Sequence, residues 1–369
     1  MKQSTITAEK RNYGIDLMRL ISMFYVVISH VLGHGNAPND MIHGSIQSIV
    51  CHILYVLSLS AVNIFGLISG YVGYREDERP YRYNSILTLW LQVVFYNVII
   101  ALLGEIYNRE LVSLRQFLTL FFPILYNHYW YFTAFFALFF FIPFLNSAIR
   151  HANKRTLYIL CTAIIILFGF VDTGISVFSL RKGFSFLWLM SLYILGAVMK
   201  KYRFADKYPT IGLVCGIVLT VLVTALATYT WFEFQFLTLT YDPGSLGYYT
   251  FAPTILIAIL HVLLFAKISL PNASVKWIRF AAPGAFSVYL INTHFLIWDH
   301  IMTDTFRYLS EKPVWHVLAV IVLFSAAFVL ICVVIDHIRQ QIFRILRIPQ
   351  ACNALATLLN TLVSRFWEN

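Results

Sequence analysis

Near the start of the chain, three polar side chains interrupt an otherwise apolar run: Asp16, Arg19 and His30 within GIDLMRLISMFYVVISHVLG. Ionisable groups are costly inside a bilayer, and those that persist face a bundle interior or a water-filled cavity. From Arg19 to His30 a helix makes three turns plus about 20° and rises about 16 Å, so the two side chains point the same way at different depths. Asp16 stands one turn before Arg19, within reach of its guanidinium. The stripe therefore offers a cation oriented by a carboxylate and, further along, an imidazole. An imidazole is the side chain best suited to take a proton near neutral pH, so general-base activation of a hydroxyl is the chemistry open to it. The structural alternatives are a histidine hydrogen-bonded at a helix end and a plain Asp16–Arg19 ion pair.

The elements that must position this stripe follow from composition. Hydrophobic residues make up 59% of the 369, charged residues only 12%, and the mean hydropathy is +0.73, which excludes an ordinary soluble globular chain. The expected fold class is all-α, a polytopic membrane helical bundle of about ten transmembrane helices. The candidate spans are 14–33, 48–72, 86–104, 129–146, 157–172, 183–199, 210–230, 249–268, 282–301 and 314–336. A formal charge of +10 would suggest nucleic acid in a soluble protein, but here the basic residues lie in short connections between apolar runs. No nucleic-acid partner is expected. With the N-terminus inside, twenty Lys and Arg residues fall on inner segments and six on outer ones, which places both termini in the cytoplasm. A multi-pass protein of the plasma membrane is the resulting expectation.

Lys10 and Arg11 precede the first apolar run as in a signal peptide, but the run is longer than an h-region and no small-x-small cleavage site follows. It is expected to stay as an anchor. One membrane domain, 1–336, takes in the spans, and 337–369 reads as a cytoplasmic amphipathic tail lying on membrane lipids. The outer connection 105–128 contains FLTLFFPILYN, too short to cross a bilayer and broken by Pro123, an interfacial or re-entrant segment. A second, 231–248, runs WFEFQFLTLTYDPGSLGY and is open between an aromatic belt and a stacking surface for a sugar. Five scattered cysteines without CxxC spacing read as apolar fillers. His34, His43, His52 and His128 are spread over loops and helix ends, and no metal site is predicted.

The segment RNYGIDLMRLISMFYVVISH, with Arg11, Asp16, Arg19 and His30, resembles the opening of the membrane acyltransferase family known as acyltransferase type 3. Three later stretches are similar to the family in the same order: NIFGLISGY (63–71), YWYFTAFFALFFFIPFLN (129–146) and FSVYLINTHFLIW (286–298). The resemblance implies a fold of about ten helices and transfer of an acyl group, commonly acetyl, from cytoplasmic acyl-CoA to a hydroxyl. The acceptor it implies is a surface polysaccharide, a lipid-linked glycan or another envelope molecule, with acyl-CoA as donor substrate and no tightly bound cofactor. It also implies essential roles for His30 and Arg19. Asp16 joins them through Arg19, since about 21 Å separates Asp16 from His30 along the helix.

Arg79 and Arg82 in YREDERPYRYN form an RxxR pair similar to a cytoplasmic motif of the family. Such a pair forks onto phosphates, which makes Arg19, Arg79 and Arg82 the candidates for holding acyl-CoA, although Glu76, Asp77 and Glu78 are near enough to neutralise it. Family members often carry Asp where this chain has Asn63 and His where it has Asn292. A neutral amide cannot act as a carboxylate or titrate, so no catalytic role passes to either. His294 either meets His30 or the acceptor, or serves packing. The competing class is a transporter or flippase of an envelope precursor, against which stand few mid-membrane acidic residues and no Gly/Pro-broken helix pair.

The topology has a direct test. In a cysteine-free background, a cysteine probe at Tyr81 or Tyr202 should be shielded from an impermeant external reagent, and one within 34–47 should react. External labelling at Tyr81 or Tyr202 reverses the orientation.

Overall fold

Asn12 starts the first helix by accepting the Ile15 N–H on its side chain at 3.1 Å, and α1 then runs Tyr13–Leu32. The structure, a computed structural model, describes residues 11–77, 81–109, 111–231 and 248–367. Among them there are helices and connecting turns and no strand. The chain continues through α2 (Ile46–Gly73), α3 (Tyr83–Tyr107), the short α4 (Leu114–Thr119) and α5 (Trp130–His151). Next come α6 (Lys154–Ala163, extended by wider turns to Val171), α7 (Phe186–Lys201), α8 (Thr210–Trp231) and α9 (Ala252–Lys267). The last are α10 (Asn272–Ala281), α11 (Ala285–Asn292), α12 (Val314–Ile345) and α13 (Ile348–Trp367).

Each of the ten apolar segments is helical. Among the described residues, seven helices have the length and apolarity to cross a membrane, or up to eight when the bent pair Asn272–Asn292 and Phe295–Glu311 is taken as one span. The segments expected at 183–199 and 249–268 are α7 and α9, of 16 residues each. Both are enclosed by protein. Trp188, Leu189, Leu192 and Tyr193 of α7 and Ile257, Ala258 and Val262 of α9 are fully buried. Short apolar helices of this kind fill a core rather than face lipid along a full span.

α1 is the hub, packed against α2, α9, α10, α11 and α12. α2 is held on its other side by α7 through backbone-to-backbone approach. A Cβ at Gly70 would lie 1.9 Å from the Tyr193 carbonyl oxygen, and one at Gly196 would lie 2.0 Å from that of Leu67. Small residues permit such closeness, and membrane helices rely on the resulting van der Waals contact because lipid supplies no hydrophobic drive.

The bend between α11 and the segment from Phe295 measures 61° and falls at Thr293–His294, with neither Gly nor Pro at the break. The chain thus has a broken helix pair that Gly and Pro do not announce. α12 continues through residue 336 to Ile345, and α13 returns against α3, where Asn84 donates to Asn353 at 2.9 Å. Residues 114–119 of the outer connection form α4, capped reciprocally by Ser113 and Gln116. Of the aromatic connection 231–248, residues 232–247 lie outside the described residues.

Gly70→Ala should push α2 from α7 and destabilise the protein by about 1–3 kcal/mol, the usual cost of overpacking. Gly216→Ala, which meets only the flexible Leu260 side chain at 3.3 Å, should be tolerated. Thermal unfolding of the detergent-solubilised variants, side by side, measures the difference.

Candidate active site

His30 lies in the last turn of α1, and its Nδ1 meets the side-chain oxygen of Asn292 at the end of α11. With the amide oxygen accepting, the ring proton sits on Nδ1 and Nε2 keeps its lone pair. Among the described residues no protein group hydrogen-bonds Nε2. The Trp298 ring meets the imidazole edge-on at 4.7 Å and 88°. His34, in the turn just after α1, stacks on the same tryptophan at 4.0 Å and 11°. His30 and His34 have the i,i+4 spacing that can hold a metal, but Trp298 stands between them. Among the described residues no group of three or more His, Cys, Asp or Glu is placed to hold an ion.

The bend after α11 delivers Asn292 on one side and Trp298 on the other. His294 secures it: Nε2 donates to the Asn97 carbonyl at 3.2 Å, and Nδ1 accepts the Leu296 N–H at 3.3 Å. Both ring nitrogens are occupied, so this histidine positions the backbone and has no lone pair left for proton transfer. Asn63 plays a comparable part in α2. Its amide accepts from Trp188 Nε1 at 3.0 Å and donates to the Tyr249 carbonyl at 2.7 Å, a donor-and-acceptor pairing that a carboxylate could not make.

His30 lines a cavity of about 570 Å³ framed by α1, α2, α5 and α11. Its wall is largely aromatic, including Phe65, Trp130, Tyr131, Tyr249, Tyr289 and Trp298, and no Asp, Glu, Lys or Arg is among its described lining residues. His128 reaches the cavity from the connection before α5. Burial lowers its imidazole below the ordinary value, and Nε2 donates to the Thr119 carbonyl at 3.2 Å.

Charge is gathered at the other end of α1. Asp16, 3% exposed, takes Arg11 Nε on Oδ2 at 2.5 Å and Arg19 Nη1 on Oδ1 at 2.9 Å. The ion pair between Asp16 and Arg19 is therefore present, with Arg11 as a second cation. Arg19 is absent from the lining of the His30 cavity. Arg82, exposed at the start of α3, borders a different cavity of about 410 Å³ together with Arg75 and Arg150. Arg79 lies outside the described residues, and Arg19 is not among the residues lining the cavity that Arg82 borders.

Two features escape a reading of local sequence. Asn292 reads as a neutral departure from a family pattern, and nothing local marks it as the partner of a histidine 262 positions away. The second is Asp336, 0% exposed, whose carboxylate accepts from Gln92, Tyr96, both Nε and Nη2 of Arg339, and Gln340, all within 3.1 Å. A signal for it exists, since IDHIR (335–339) repeats the Ile-Asp-x-x-Arg pattern of IDLMR (15–19).

A family model described as an acyltransferase domain matches residues 12–337. The chain belongs to the acyltransferase type 3 family. That makes it a multi-pass membrane acyltransferase, and the match spans all four stretches that carry the resemblance, from Arg19 and His30 to Asn292 and Trp298. No curated protein and no solved structure matches the chain.

Asn292→Leu keeps the bulk and removes the acceptor for the Nδ1 proton. A buried donor left unpaired costs about 1–3 kcal/mol, so acyl transfer should fall roughly tenfold to a hundredfold while thermal stability shifts by only a few degrees. Transfer assays on folded, monodisperse protein measure it, and an unchanged rate removes Asn292 from the site.

Proposed function

We propose that this protein is an O-acyltransferase of the plasma membrane, moving an acyl group, acetyl in the first instance, from cytoplasmic acyl-CoA to a hydroxyl of an extracytoplasmic glycan or its lipid-linked precursor. The observation that carries this reading is the His30 imidazole, fixed by Asn292 and left with an open Nε2 in the wall of an aromatic cavity. A hydroxyl is a poor nucleophile at neutral pH, and a neutral imidazole with a free lone pair is the group that can take its proton as it attacks a thioester carbonyl. An aromatic wall without formal charge suits the apolar faces of a sugar ring, and it excludes the bulk water that would hydrolyse the thioester.

In this reading both termini are cytoplasmic, and the donor enters from the end that carries Asp16 and Arg19. Arg19, Arg79 and Arg82 are assigned to its phosphates and polar arm, because guanidinium groups bind such oxygens bidentately. Asp16 holds Arg19 in place. The glycan hydroxyl comes from the opposite side and meets His30. Covalent transfer separates this reading from a transporter or flippase, since only an enzyme leaves label on the acceptor.

His30→Ala and His30→Gln should both insert, fold and bind acyl-CoA, yet lose transfer by about a hundredfold to ten-thousandfold, because an amide can hydrogen-bond but cannot take the proton. Radiolabelled acetyl-CoA supplied to inside-out vesicles, followed by recovery of labelled glycan and calorimetric donor binding, gives both numbers. Substantial labelling by either variant would refute His30 as the base.

A further inference from the structure

Three aromatic rings, at or just before the starts of α5, α7 and α9, come together in the wall of the His30 cavity. Trp130 and Phe184 meet with centroids at 4.6 Å, Phe184 and Tyr249 at 5.0 Å, and Trp130 lies within 17° of parallel to Tyr249 at 6.2 Å. Protein does not close over this patch, since Phe184 is 42% exposed and Trp130 and Tyr249 are only half-buried. Asn127, just ahead of Trp130, lines the same cavity. Its φ of 49° is left-handed, a conformation asparagine adopts more readily than most residues, and no described residue hydrogen-bonds its side-chain amide.

The polar groups of the cavity divide into two sets. Its serine and threonine hydroxyls, on Ser29, Ser58 and Thr293, are spent on carbonyls of their own helices. The indole N–H groups of Trp130 and Trp298 and the phenols of Tyr55 and Tyr249 take no hydrogen bond from the described residues, and these atoms keep accessible surface. Nothing permanently charged stands among the described lining residues. An occupant bearing a carboxylate or phosphate would shed its hydration here with no fixed cation to replace it, and a pure hydrocarbon would leave the open donors unpaired. A pyranose meets both conditions, with apolar C–H faces for the rings and a belt of hydroxyls for the neutral donors and acceptors.

We propose that the acceptor is an uncharged pyranose, seated on the Trp130–Phe184–Tyr249 patch with its hydroxyls toward the Asn127 amide and the open indole and phenol groups; this rests on the acyl-transfer reading above. The site then selects among the sugars of a glycan, taking neutral units and rejecting uronic acids, sialic acids and phosphorylated sugars. The reaction is the one already proposed. The sugar oxygen gains the acyl carbon, the C–S bond of the donor breaks, and the hydroxyl proton ends on the coenzyme thiol.

The test uses detergent-solubilised full-length protein, radiolabelled acetyl-CoA and the producing cell's own envelope glycan, stripped of its acyl groups with mild base. Mass spectrometry of the cleaved product should find the label on neutral sugars. Methyl hexopyranosides, offered beside the matching methyl hexuronides, should be acylated at least about a hundredfold faster. Trp130→Ala should raise the KM for the glycan at least about tenfold, with the KM for acetyl-CoA within about twofold, and Trp130→Phe should restore most of the loss. Asn127→Gly, which keeps the left-handed backbone, should raise the glycan KM about threefold to tenfold and serves where the tryptophan variant does not fold. Label on an anionic sugar, hexuronides accepted as readily as hexosides, a glycan KM that neither variant moves, or a rise in the acetyl-CoA KM instead each overturns the proposal. If the natural protein labels no glycan at all, the acyl-transfer reading itself fails, an outcome distinct from label on the wrong sugar.

Discussion

The site is built on the contact between His30 and Asn292. It joins the end of the hub helix α1 to the end of α11, and the chain can make it only because α11 stops there and turns through 61°. His294 fixes that turn with both ring nitrogens, so one histidine holds the backbone that orients another. The partner is an amide and not a carboxylate, which has a physical consequence. An amide sets the tautomer and the ring orientation, but it gives little stabilisation to a positive imidazole.

Formal charge and reactive nitrogen are kept apart along α1. At one end Asp16 lies between Arg11 and Arg19, and the same i,i+3 Asp–Arg arrangement recurs in α12, where Asp336 is saturated by Arg339 and three neutral donors. In a low-dielectric interior a carboxylate survives ionised only when its lone pairs are matched in this way, and removing one partner of such a pair costs about 3–5 kcal/mol. Three turns along α1, the His30 cavity has no formally charged residue among its described lining. In the proposed reaction, a donor with phosphates at one end and an uncharged acyl group at the other would follow this gradient without burying its charge beside His30.

Much of this was legible in the sequence because it depends on local periodicity. The apolar runs predict helices at all ten places, and the three-residue spacing of Asp16 and Arg19 predicts their ion pair, since both follow from a rise of about 1.5 Å and about 100° per residue. Their lengths were less legible: the runs at 183–199 and 249–268 read as spans, and only the helix ends set by the fold cut α7 and α9 to 16 residues each. The family membership was legible too, through four separated motifs.

The tertiary structure alone decided which side chains share a wall. Asn292 reaches His30 from 262 positions away, Trp298 slides between His30 and His34, and Tyr131 of α5 joins the wall of the same cavity. It also kept Arg19 and Arg82 in separate surroundings that their charge alone would have grouped. The physical reason is that a helix's own hydrogen bonds fix its periodicity from within. Its neighbours and its rotation are instead set by van der Waals contact summed over residues far apart in the chain, down to the few glycines that let two backbones touch.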